Sequence, residues 1–161
     1  PEPAPPRPAH VEVRGELPAR PLHGRDALFV SLGGYNVLAI TDATAACETI
    51  SGGATRAGSS TIAIQLSNRT DSGEELPLEP GLYRMLGPDD LGAPERVPGK
   101  TAVAVLQPLD EQCRSIVDEP ASTISVAGHV RIFEYDAATV LRGRLDIDFF
   151  GGNVEGDFAA P

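Results

Sequence analysis

The segment RGRLDIDFFGGNVEGDF, residues 142–158, holds the densest run of groups able to do chemistry. Asp146, Asp148, Glu155 and Asp157 fall within twelve residues around a Gly-Gly-Asn turn. Clustered carboxylate oxygens suit a hard divalent cation such as calcium. Two carboxylates at a set separation across a cleft are also the machinery of glycoside hydrolysis. Neither pattern is specific here, because no EF-hand spacing is present and 23 acids allow many pairs to be nominated. Read at period two, the same stretch has another content. Leu145, Ile147, Phe149, Val154 and Phe158 alternate with the acids, as the apolar face of a hairpin alternates with its wet face.

That hairpin raises an electrostatic question. A turn at Gly151-Gly152 sets Asp148 opposite Glu155 and Asp146 opposite Asp157. Like charges directly opposite cost from a few tenths to about 1 kcal/mol, so compensation is expected. It comes either from Arg131, Arg142 and Arg144 on neighbouring strands or, alternatively, from a calcium ion held by Asp146, Asp148, Glu155 and Asp157.

Other chemistries find little support. No G-x-S-x-G elbow occurs, and Ser59 and Ser60 follow Gly58 in a loop context rather than a strand-to-helix turn. The three histidines, His10, His23 and His129, are scattered, with no zinc-like spacing to the cysteines. Gly33-Gly34 and Gly52-Gly53 lack the surroundings of a nucleotide site. Asn68-Arg69-Thr70 is a formal glycosylation sequon. Binding has a better candidate: Phe133 and Tyr135 fall on the predicted outer face of a strand with His129 and Arg131, and Phe150 lies near them.

The elements that position these residues follow from the alternation. PEPAPPRPAH opens with five prolines in eight residues, which predicts an extended tether over 1–10. From there period-two runs predict strands over 11–17, 27–32, 35–42, 61–68, 81–86, 100–107, 123–135, 139–150 and 153–158. Gly33-Gly34 marks a hairpin between the second and third, and ARPLHGRD reads as a connection. Long loops are expected at 51–60 and 87–99. Ile124, Val126, Gly128, Val130 and Ile132 share one face, and Leu141, Gly143, Leu145, Ile147 and Phe149 share the face that meets it. A turn at Asp136-Ala137 puts His129 opposite Arg144; a turn at Ala137-Ala138 puts it opposite Asp146 and sets Arg131 opposite Arg144. The expected fold is all-β, an antiparallel sandwich of Greek-key or jelly-roll type with about eight or nine strands, forming one domain over 11–161.

Composition sets the compartment and the partners. The net charge of −10 repels nucleic acid and anionic membranes. No run reaches the ~18 apolar residues of a membrane helix. Trp is absent and aromatics are 5%, so the core must rest on aliphatic residues. Two cysteines, Cys47 and Cys113, in a loop-rich, Pro-rich chain suggest a disulfide and an exported protein. Closing that loop would stabilise the fold by about 4 kcal/mol on the chain-entropy account.

The order of pieces carries a resemblance. GRDALFV, a hydrophobic strand, Asp42 followed by Cys47, then VAGHVRI, LDIDF and VEGDFAAP resemble exported lipoprotein domains of myxobacteria-like Gram-negative bacteria. The resemblance implies a β-domain behind a lipid anchor upstream of Pro1, in the periplasm or at the outer-membrane surface. It supplies no catalytic residues. The function expected is a monomeric, non-catalytic binding or structural module recognising a protein or glycan of the envelope. A secreted hydrolase with a loop-built site and a calcium-stabilised structural domain are the alternatives.

Overall fold

A computed structural model describes residues 10–16, 21–24, 26–32, 35–42, 60–87, 89–90, 97–108, 124–136, 140–149 and 151–160. Every helix-or-strand element among them is a strand: β1 (His10–Glu16), β2 (Pro21–His23), β3 (Asp26–Leu32), β4 (Tyr35–Thr41), β5 (Ser60–Arg69), β6 (Gly81–Met85), β7 (Gly99–Pro108), β8 (Ser125–Asp136), β9 (Val140–Phe149) and β10 (Gly152–Ala160). The nine anticipated runs appear with small shifts at their ends, and β1 starts at His10, inside the span read as tether. The addition is β2, drawn from the stretch read as a connection. Three residues including Pro21 show no alternation; pairing with Arg14–Glu16 of β1 is what makes them a strand.

All ten strands lie in one sheet, in the order β2-β1-β10-β9-β8-β6-β7-β5-β4-β3. Neighbours run antiparallel except β6 and β7, which are parallel through Arg84↔Thr101 and Met85↔Ala102. The chain is all-β as expected, but the second layer expected of a sandwich comes from the sheet itself, which curls into a half-barrel. Phe29 of edge strand β3 reaches across to Tyr135 of β8, their rings edge-to-face with centroids 5.7 Å apart. The two sheet edges, β2 and β3, are consecutive in sequence, separated only by Gly24 and Arg25. At that point the Gly24 amide donates to the Val13 carbonyl at 2.9 Å.

The inner face explains why the sheet bends. Val13, Leu22, Ala27, Leu38, Ile40, Ile62, Ile64, Leu66, Ala104, Leu106, Val130, Leu145, Ile147 and Phe158 are all buried on it, so every strand but β6 in this set gives one apolar side; β6 adds Tyr83 and Met85. Tight coiling needs gaps in that side. Gly156 has φ 145°, and a Cβ there would meet the Glu12 carbonyl oxygen of β1 at 2.1 Å. Only glycine lets the two backbones pass so closely.

Tyr83 ties the connection before β6 to the core. Its hydroxyl donates to the Glu79 carbonyl at 2.9 Å and accepts from the Glu79 amide at 3.2 Å. A buried aromatic body with its polar tip satisfied by backbone four residues upstream works like a tyrosine corner. Next to it Lys100 Nζ lies 2.7 Å from Glu79 Oε1, closing the strap from outside.

Cys47 and Cys113 lie outside the described residues. The strands they follow are in register: Thr41 of β4 and Gln107 of β7 both face Thr61 of β5. Each cysteine stands six residues beyond its strand position, 41 to 47 and 107 to 113.

Burial pushes the Tyr83 phenol above its ordinary value of 10.0, so the fold favours the protonated form. The stability this contributes is full below the unfolded value and is lost as pH rises from there through the raised folded value. Tyr83→Phe should lower the unfolding free energy by about 1–2 kcal/mol at neutral pH, since two backbone groups lose their partner. It should also flatten the loss of stability expected as pH rises above 10.0. Chemical denaturation of both proteins across pH checks this, and an unchanged alkaline slope in the variant would exclude the phenol as the titrating group.

Candidate functional site

The acidic hairpin is displaced from its expected register by two residues. Gly152 pairs with Phe149, so it belongs to the strand and not to a turn at Gly151-Gly152. Gly151 takes φ 80°, the left-handed conformation that a two-residue hairpin turn demands. A shift of two keeps Val154, Phe158, Leu145 and Ile147 inside while changing every polar pair outside. Asp157 now faces Arg144, Asp148 faces Asn153, and only Asp146 keeps an acid, Glu155, opposite it.

This register answers the electrostatic question. Arg144 Nη1 lies 3.2 and 3.3 Å from the two Asp157 carboxylate oxygens. Asn153 Nδ2 donates to Asp146 Oδ1 at 2.8 Å and to Asp148 Oδ1 at 2.7 Å. The amide thus spends both protons on the two carboxylates of β9 and occupies the space between them. The four acids do not come together as ligands: among the described residues no three His, Cys, Asp or Glu side chains converge so as to hold a metal ion. Beside them a shallow, charged depression of about 440 Å³ opens over β1, β10 and β9, lined by Arg14, Arg144, Asn153 and Glu155 among others. Arg14 faces Glu155 across β1 and β10, yet the pair does not close into an ion pair.

On β8 His129 lies opposite Asp146 and Arg131 opposite Arg144, the register expected of a turn at Ala137-Ala138, but at the strand ends Asp136 pairs with Val140. Beyond Ile132 the pairing slips by one, so Phe133 is an extra residue, a β-bulge. The bulge separates residues that simple alternation places together. His129, Arg131 and Phe133 face outward, Glu134 pairs with Arg142 at 3.2 Å, and Tyr135 turns inward against Phe29. Tyr135 therefore belongs to the core and not to the aromatic patch, and Phe150 lies outside the described residues. A second bulge between Ser125 and Ala127 buries Ser125, whose Oγ accepts the Ala104 amide at 3.0 Å, and leaves Val126 only partly buried.

What alternation could not supply is Leu82. It sits opposite Arg131 on β6 and is 48% exposed; Phe133, two residues along β8, is 56% exposed. The pair is set beside closed ion pairs: Arg142 with Glu134, Arg144 with Asp157, and Arg84 with Asp90 at 3.5 Å. Arg131 has no carboxylate partner among the described residues. The outer face of the opposite half of the sheet differs. Leu28, Val30, Val37, Ala63 and Val103 are half-buried there, Ala39 and Thr41 are buried, and Val105 is 38% exposed.

Asn153→Ala should lower stability by about 1–2 kcal/mol, because two charge-assisted hydrogen bonds are lost and Asp146 and Asp148, side by side on β9, lose the amide between them. Asn153→Asp should cost more. Millimolar calcium should leave the wild-type melting midpoint in place and raise that of Asn153→Asp; a calcium-induced rise in the wild type would show that the carboxylates can be bridged with the amide present. No protein-family model matches the chain, and neither curated proteins nor solved structures include a match, so no enzyme family is indicated.

Proposed function

We propose that this chain is a non-catalytic recognition module of the cell envelope, binding a protein or glycan partner through the outer face of β8 and β6. The observation that carries this reading is the exposure of Phe133 and Leu82 on either side of Arg131. Two large apolar side chains half open to water are a standing cost that folding could have avoided, since Tyr135 three positions from Ile132 is packed inward. Aromatic and arginine side chains inside a polar frame have the composition of an interface centre. Export is proposed from the composition, the Pro-rich opening and two cysteines, with Cys47 and Cys113 paired. The aligned strand ends of β4 and β7 are consistent with that pairing.

Phe133→Ala leaves the inner face untouched, so the variant should melt within about 0.5 kcal/mol of wild type. It should nonetheless lose the partner that the wild type draws from a solubilised envelope fraction; equal capture by both would remove this face from consideration. For the disulfide, a reducing agent should lower the melting midpoint of the wild type and leave that of Cys47→Ala unmoved. Two titratable thiols in the non-reduced, denatured protein would show that the bridge does not form.

A further inference from the structure

We infer that the partner is a protein surface that places a carboxylate between two apolar side chains, the carboxylate on Arg131 and the apolar groups on Phe133 and Leu82. This rests on the recognition reading above and specifies its chemistry. The chain has 23 acids and 13 bases, so an uncompensated outward cation beside exposed apolar groups needs an explanation. Around Arg131 the arginines on the same face already have their own acids: Glu134, Asp157 and Asp90 close three ion pairs within the chain. Asp146, opposite His129 on the same face, is held by the Asn153 amide. Arg131 faces another guanidinium, Arg144, on one side and Leu82 on the other. Its fork of donors is therefore open to an incoming oxyanion. A planar carboxylate fits such a fork with two parallel hydrogen bonds. Flanking contacts on Phe133 and Leu82 would exclude water and strengthen those bonds.

The alternatives fit less well. A glycan needs a groove with stacking rings and hydrogen-bond donors, whereas the depression on this face lies over β1 and β10 and is lined by charges. Leu82 offers an aliphatic contact with no stacking surface. A second copy of the chain would bring another net charge of −10 to the contact. Nucleic acid meets the same repulsion. A protein of low or positive net charge with a local acidic and apolar spot escapes it.

The test uses the full chain immobilised as wild type, Phe133→Ala and Arg131→Glu, with the melting midpoint of each showing that it is folded. The probe is a solubilised envelope fraction, used directly, after carbodiimide amidation of its carboxylates, after protease, and after periodate. The inference expects at least tenfold loss of the captured species with either variant, with amidation and with protease, and no loss with periodate. If Phe133→Ala abolishes capture while Arg131→Glu and amidation do not, the carboxylate is wrong and the recognition reading stands. If capture survives protease and is lost to periodate, the partner is a glycan and the inference fails. If nothing is captured, or neither variant alters capture, both the inference and the recognition reading fall.

Discussion

A sheet without a partner layer buries its apolar side only by bending until its own strands touch. That constraint governs this molecule. Ten strands share one sheet, and the side chains of β3 must reach those of β8 and β10 to exclude water. The Phe29–Tyr135 contact is where the two walls meet. Glycine at Gly156 brings β1 and β10 closer than any Cβ would allow, and bulges on β8 add twist where the curl is needed. The two edges of the curled sheet, β2 and β3, remain unpaired with each other although both belong to the stretch 21–32.

The polar face follows from the same geometry. Once the inner residues fix which side of β9 and β10 is dry, registers that differ by two residues are equally good inside, and the outer side chains can choose among them. The register adopted pairs Arg144 with Asp157 and gives Asn153 two carboxylates to bridge. The bulge at Phe133 has the opposite effect on β8. It moves Tyr135 into the core and keeps Phe133 outside, so one inserted residue both completes a packing contact and creates an exposed one.

Alternation in the sequence was enough to locate nine strands, to name the inner residues of β9 and β10, and to place His129 and Arg131 outside. It could not see β2, whose three residues have no period and are defined by a partner. It could not choose between turns one residue apart, since Gly151 and Gly152 are both able to take a left-handed φ. Bulges at Val126 and Phe133 were equally invisible, because an inserted residue reverses the phase without changing composition. Leu82 was missed for a different reason. Nothing local distinguishes it from a core leucine, and only the pairing of β6 with β8 places it beside Arg131. The acidic run, by contrast, looked like chemistry and is mostly the solvated side of a hairpin.

The pairing of β1 with β10 joins Val11 to Phe158, nearly the full length of the chain. Contacts that distant in sequence close late and slowly, because loop-closure entropy is met before any packing returns it. Until the C-terminal strand emerges, the N-terminal strand has only the three residues of β2 beside it and an apolar face with nothing to cover it. Completion of the β1 pairing therefore waits for residues 152–160 to be synthesised.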